Sequence, residues 1–500
     1  MTHRDEGATV TDTAESATRT ATPGTSPPQD TGPAARWITM PVILAATFMI
    51  ALDFFIVNVA IPSTQRELDA TPAQIQYVIG GYWLSLAVVL ILCGRLGDLY
   101  GRKRMFLLGL ALFVIASTVC GAAPTAGVLV GARVAQGLSA ALVMPQGLAI
   151  LGVVFTGERR ARAFTAYAMT LGLASVCGQL LGGLLIQADL FGLGWRSCYL
   201  LNVPIGVVTL VLALRFIPES RAHGRPKLDV LGTALVTLSL VAVVLPLVEG
   251  RERGWPWWTW FLLADGVLLL AVFAAHQRRS LRTGGAPLVD VRLFGMRAFS
   301  IGLVATVLFN MTMGSFFLFL AIYLQDGRGM SALESGLIFT PIAIGYFGAS
   351  LAAEPLARRL GRHVLTLGAV VMAVGLVLTW ETVHSIGVGG NQLALLPAFL
   401  LSGAGMGFVL APLTNTVLAD IDPQYAGSAS GVLTTSQQVG GAIGVAVVGV
   451  VFYNSLGTST APADVSPAFL NSLVWLAGFT VAIGLLIQFM PRHHTATTTD

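Results

Sequence analysis

The sequence predicts an all-α polytopic membrane protein of about fourteen transmembrane helices, arranged as two six-helix bundles with two helices inserted between them. Three observations lead there. Of 500 residues, 55% are hydrophobic and only 11% charged, against about 25% charged in a soluble chain, so much of the folded surface must face lipid. Apolar runs of roughly 20 residues, the length that crosses a bilayer as a helix, fill nearly the whole chain past Trp37. Short motifs also recur about 260 residues apart: LGDLYGR at 96–102 against LARRLGR at 356–362, and QLLGG at 179–183 against QQVGG at 437–441.

Taken in order, residues 1–36 are rich in Ala, Thr, Pro and Ser without an apolar core, and read as a disordered tail rather than a signal peptide. Residues 37–220 carry six apolar runs, starting near 38, 74, 105, 127, 164 and 198. Residues 221–297 hold the two inserted helices, near 229 and 257, and a polar linker. Residues 298–490 carry six more, near 299, 333, 364, 391, 427 and 468, and 491–500 form a second tail. Alternating these spans puts 23 of the 29 Lys and Arg on the side of both termini and five on the other, which predicts that both termini are cytoplasmic. Arg133 alone belongs to neither side.

Residue counts exclude several functions. The two lysines, Lys103 and Lys227, are followed by Arg104 and Leu228, so no phosphate-binding loop of the Gly-Lys-Ser/Thr kind exists and no ATP is used by this chain. Cys93, Cys120, Cys177 and Cys198 lie in or beside apolar runs without metal-ligand spacing, and no histidine lies mid-helix. No metal site is indicated.

Two opposite charges fall deep inside runs. Asp53 lies about nine residues from the outer end of the first helix and Arg133 about eight from that of the fourth, which at ~1.5 Å per residue puts both roughly 12–14 Å deep. Their equal depth allows a direct or water-bridged pair. Burial makes an intramembrane carboxylate's charge costly, which makes Asp53 a candidate proton carrier. Asp265, midway along the second inserted helix, reads as an acid without a transport role.

Four stretches resemble the major facilitator superfamily, specifically its fourteen-helix drug/proton antiporter family, and the likeness spans residues 37–490. The loop GRLGDLYGRKR at 94–104 is similar to that superfamily's signature between its second and third helices. Gly94 and Gly101 permit a tight reversal, and Asp98 can pair with a basic residue or cap a helix. Gly94, Asp98, Gly101 and Arg102 are therefore expected to form a conformational latch, broken when the cytoplasmic side opens. The first helix, LDFFIVNVAIP at 52–62, is similar to the family's first-helix motif but has Phe55 where relatives commonly have Thr. Arg133-Val-Ala-Gln136-Gly137 resembles the fourth-helix motif. The fifth helix, with Gly178, Gln179, Gly182 and Gly183, resembles the motif associated with antiport, with Gln179 where relatives have Pro. Its glycines still allow close helix packing, without the kink. Trp195-Arg196, Leu201 to Gly206 and Pro218-Glu219-Ser220 add to the likeness.

The resemblance implies a secondary active transporter, not an enzyme, that couples proton movement through Asp53 and Arg133 to efflux of amphipathic drugs or antibiotics by alternating access in the cytoplasmic (inner) membrane. The proton is the coupling ion and no other cofactor is expected. Expected cavity residues are Phe54, Asn58, Tyr82, Trp83, Gln136, Gln146, Asn310, Phe317, Asn415 and Gln437, with Gln179, because amides amid aromatics suit a large amphipathic solute. Partners are that solute and lipid, with no nucleic acid, and the chain is expected to act as a monomer. Open alternatives are export of an endogenous lipid, metabolite or self-made antibiotic, inward proton symport, and a non-transporting sensor or scaffold. No carboxylate lies deep in 427–453, so a preference for divalent cations is not supported.

Overall fold

The structure, a computed structural model, describes residues 33–221, 228–285, 287–419, 421, 426–457, 459 and 461–490. Residues 1–32 and 491–500, most of the two expected tails, lie outside the described residues. Fourteen helices among the described residues are long and apolar enough to cross a membrane. They are α1 (Pro33–Leu68), α2 (Pro72–Tyr100), α3 (Arg102–Gly121), α4 (Ala126–Val154), α5 (Gly157–Ala188), α6 (Arg196–Phe216), α7 (Val230–Glu252), α8 (Trp257–Arg282), α9 (Arg297–Ile322), α10 (Ala332–Leu360), α11 (His363–Ile386), α12 (Leu396–Leu418), α13 (Ala426–Leu456) and α14 (Pro462–Gln488). α9 runs on through a π-turn to Gly327.

Most starts fall within a few residues of those read from the apolar runs. α1 begins at Pro33, inside the stretch read as tail, and α5 begins seven residues early because its first turns carry Glu158, Arg159, Arg160 and Arg162, outside the apolar pattern. α14 begins at Pro462, and Pro467 lies inside it rather than before it.

The second helix of each half shows how local chemistry repeats. α2 and α10 are both 29 residues long. α2 opens with a capping box in which the Thr71 hydroxyl accepts from the Gln74 N–H and the Gln74 side chain accepts from the Thr71 N–H; Ser331 and Glu334 do the same for α10. Both helices stop at a glycine of positive φ, Gly101 (110°) and Gly361 (55°), which reverses the chain at little steric cost.

Packing repeats as well. In the first half α2 and α3 pack on α4, α1 on α5, and α6 on α1 and α3; the second half repeats each pairing, with α10 and α11 on α12, α9 on α13, and α14 on α9 and α11. The halves meet along α2 with α13 and α5 with α10, a reciprocal exchange expected of two related bundles. The inserted α7 lies over the α2/α13 seam, where Val244 and Val248 pack with Ala73 and Ala446. α8 leans mainly on α7 and leaves Trp257, Phe261 and Val267 exposed, a face suited to lipid. The end holding Arg95–Arg104, Arg159–Arg162 and the 283–296 linker is termed the basic end below.

Candidate functional site

Asp53 does not face the central cavity. It points into the first bundle, where two other helices, α4 and α6, supply its partners. Arg133 of α4 donates through Nη1 to Asp53 Oδ2 at 2.6 Å; Gln136, one turn on, donates to Oδ1 at 2.9 Å, and Asn202 of α6 donates to the same oxygen at 2.7 Å. Arg133 also donates to Gln136 Oε1 at 2.7 Å and to the Val78 carbonyl at 3.0 Å. Ser117 of α3 accepts from Gln136 at 2.8 Å. Asp53 and Arg133 are 0% and 1% exposed. A buried ion pair is tolerable only when further hydrogen bonds support both charges, and here Asp53 accepts from three donors and Arg133 donates to three acceptors.

The ring of Tyr82 closes the cluster. Its centroid is 4.2 Å from the Arg133 guanidinium carbon, and Tyr82 also lines the cavity, so one aromatic ring separates ion pair from solute space. Phe54, Phe55 and Asn58 lie on the same stretch of α1 as Asp53 and line that space. α1 thus presents the carboxylate to the bundle interior and the aromatics to the cavity.

The cavity lies between the halves as two chambers. The inner one, about 470 Å³, includes Phe54, Phe55, Asn58, Trp83, Gln179, Asn310, Phe317, Asn415 and Gln437 in its wall. The outer one, about 790 Å³, includes Tyr82, Trp83, Gln146 and Gln437 and extends past Gly94 to Arg95, Asp98 and Arg102 at the basic end. The opposite end is shut. Gln325 donates to the Val59 carbonyl at 2.9 Å, Arg66 pairs with Asp326 at 2.8 Å, and α5 meets α10 so tightly that a side-chain carbon on Gly183 would fall 2.5 Å from the Ala332 carbonyl. Gly178 and Gly182 serve the α5 contact with α1, against Phe55 and Ile56.

Of the residues expected in the cavity wall, Gln136 is placed elsewhere. It is fully buried in the Asp53 cluster because its position one turn from Arg133 turns it toward α1 and α3. Gln146 is also almost fully buried and braces α2 by donating to the Cys93 carbonyl at 2.8 Å. The 94–104 stretch is helical on both sides of Gly101; in it Asp98 pairs with Arg102 at 2.8 Å, while Glu219 beyond α6 accepts from the Lys103 N–H at 3.1 Å and the Ser220 carbonyl accepts from the Arg102 N–H at 2.9 Å. These contacts stay within the first half and are present while the cavity extends to the basic end. Asp265 is half-buried on α8, away from the cavity.

Residues 43–445 match the Major Facilitator Superfamily. The chain belongs to that superfamily. Among relatives, it is 42% identical over 86% of its length, and 75% of the relative's, to a probable actinorhodin transporter of Streptomyces coelicolor. It is 34% identical over 91% of its length, and 92% of the relative's, to the cephamycin export protein CmcT of Amycolatopsis lactamdurans. It is 36% identical over 90% of its length, and 88% of the relative's, to the puromycin resistance protein pur8 of Streptomyces alboniger. Among solved structures, a bacterial homologue of the human lysosomal transporter Spinster, described as inward-facing and unoccupied, superposes with a TM-score of 0.66 at 16% identity, covering 93% of this chain and all of that one.

As a major facilitator protein the chain is a multi-pass membrane transporter. Sequence reasoning did not single out Ser117, Asn202 or Glu219 as functional. Asn202 and Glu219 stood in motif stretches, but only their three-dimensional partners give them roles, and Ser117 carries no signal distinct from any serine in an apolar helix.

Proposed function

We propose that the protein is a proton-coupled exporter of amphipathic drugs or antibiotics, a secondary active transporter in the cytoplasmic membrane with its basic end and both termini inside. The observation that carries this reading is the fully buried Asp53–Arg133 pair, held one ring away from a solute cavity that extends to the basic end. With the basic end inside, the cavity receives solute from the cytoplasm while Tyr82 shields Asp53. Rocking of the halves opens the other end, and Asp53 takes up an external proton as its ion pair with Arg133 parts. Because Asp53, Phe54 and Phe55 share one helix turn, releasing the carboxylate from its donors also rearranges the solute wall. That is the coupling. One proton moving down the potential gains about 2.3 kcal/mol per 100 mV, enough for roughly a 50-fold gradient if one net charge is transferred per cycle.

The relatives named for the transport of, export of or resistance to natural antibiotics favour a cargo made by the cell itself, with other drugs as incidental passengers. The test is proton flux in inside-out vesicles on addition of candidate solutes. Solute-induced proton release is expected for the parent and at least a 100-fold loss for Asp53→Asn. Release that survives the substitution would move coupling away from Asp53.

A further inference from the structure

We infer that the inner chamber is built for an uncharged, flat aromatic solute that hydrogen-bonds the side-chain amide of Gln179, and that it discriminates against cations. The inference rests on the exporter reading and adds a substrate class to it.

Charge comes first. Among the described residues, no side chain lining the inner chamber is charged at neutral pH. Asp53, on the helix turn that supplies Phe54 and Phe55, is paired with Arg133, accepts from Gln136 and Asn202, and lies behind the ring of Tyr82. Asp98, at the far mouth of the outer chamber, is paired with Arg102. A cation taken into the inner chamber would leave water with no free counter-charge to meet it, which is strongly unfavourable.

Shape and aromatic character come second. Trp83, Phe54, Phe55, Phe317 and Phe339 form a continuous arc of ring contacts across the two halves. The centroid distances along it are 4.3 Å, 4.9 Å, 5.9 Å and 5.8 Å. The first three contacts are edge-to-face and the last is stacked, so the rings pack largely on one another and do not form an open box around a point charge. Such an arc offers a slot to a planar apolar body, and about 470 Å³ holds one solute of drug size.

Polar atoms decide the rest. Gln179 is 3% exposed, lies in the chamber wall, and both its amide nitrogen and its amide oxygen lack a hydrogen-bond partner; the Trp83 indole N–H in the same wall also has none. Buried polar groups in this condition cost stability until something pairs with them. A ring carbonyl accepting from Gln179 or Trp83, with an adjacent hydroxyl donating to the Gln179 oxygen, satisfies two of the three. Phe55 and Gln179 both line this chamber. The backbone of Gln179 is fixed independently by close packing against Gly336 of α10, where an added side-chain carbon would lie 2.6 Å from the Gln179 carbonyl. Its side chain is therefore a replaceable recognition group on a fixed frame.

The test is equilibrium dialysis of purified full-length protein in detergent at pH 6.5, with 1,8-dihydroxyanthraquinone as the uncharged probe and ethidium as a flat permanent cation. The parent is expected to bind the anthraquinone at least tenfold more tightly than ethidium. Gln179→Leu, which keeps the volume, is expected to weaken anthraquinone binding about fivefold, the equivalent of one neutral hydrogen bond. Gln179→Glu is expected to raise ethidium affinity, a gain that misfolding cannot produce. Equal or tighter binding of ethidium by the parent, unchanged anthraquinone affinity in Gln179→Leu, or no ethidium gain in Gln179→Glu would each overturn the inference. Dialysis needs no gradient, so the two readings fail separately. Selective binding without proton flux in vesicles would remove the exporter reading and keep the site, whereas flux driven by ethidium alone would keep the exporter and remove the site.

Discussion

The two halves repeat one set of helix pairings around cores of opposite character. The first bundle buries a charged, hydrogen-bonded cluster from α1, α3, α4 and α6. The second buries rings: Phe316 on Phe399, Phe319 on Phe452, and Tyr323 on Phe469. Among the described residues, no charged side chain of α9–α14 is buried, whereas Asp53 and Arg133 both are. The comparison teaches that a duplicated scaffold does not imply duplicated chemistry. One half can hold a buried ion pair while the other packs rings alone.

The largest expected effect comes from breaking the first core. Arg133→Ala leaves Asp53 buried without its counter-ion and is expected to cost about 3–5 kcal/mol, read as a large fall in thermal unfolding temperature in detergent. The double substitution Asp53→Leu with Arg133→Met is expected to recover most of that stability while showing no solute-linked proton release. Phe319→Leu in the second core is expected to leave coupling in place, and a coupling defect as deep as that of Asp53→Asn would erase the distinction between the halves.

Next in size is the shared seam. Gly183→Val forces a side chain against the Ala332 carbonyl and the Leu333 backbone, an overpacking expected to cost about 1–3 kcal/mol. Because the strain exists only while that end is shut, thiol labelling of a cysteine placed in the 189–195 loop is expected to rise. Unchanged labelling would show that the α5/α10 contact does not hold the end closed.

Outside both cores, Asp229 caps α7 through the Gly232 N–H and accepts from Gln277 at 2.7 Å, the Leu288 N–H and the ring of His276. Burial alone would push its carboxyl up, but the donors outweigh burial and hold it below the ordinary carboxylate value of 3.8. A folded-state value below the unfolded one contributes stability at pH above about 4 that is lost as pH falls through the folded value. Thermal unfolding from pH 7 to pH 3 is therefore expected to fall more steeply for the parent than for Asp229→Asn. The smallest effect belongs to Arg66→Ala, since its pair with Asp326 is water-exposed on the arginine side and worth up to about 1 kcal/mol. A slight rise in labelling of the cysteine in the 189–195 loop at the shut end is the expected readout.

How far the sequence reached depends on the physics of each feature. Spans were legible because lipid demands a long apolar run, and the ends that slipped, at α1, α5 and α14, are those where polar turns or a proline continue the helix beyond that run. Asp53 and Arg133 stood out because a charge inside an apolar run is costly enough to be conspicuous. Ser117 and Asn202 did not, since a small polar residue in a membrane helix is ordinary until its partner is known. Gln136 shows the remaining limit: its residue type fitted the cavity, but which side of α4 meets which neighbour is decided by tertiary packing.

The inserted α7 has one more consequence. Near the shut end Glu252 accepts from the Ala73 N–H of α2 at 2.8 Å and Glu249 from Tyr77, while Arg251 donates to the Tyr453 carbonyl of α13 at 2.6 Å. One helix thus bonds to both halves across the seam between them. In the proposed export cycle such a brace enters and leaves each turn unchanged, so it has no say in how steep a gradient is finally sustained. What it governs in that proposed cycle is tempo, the number of times per second the two halves exchange positions.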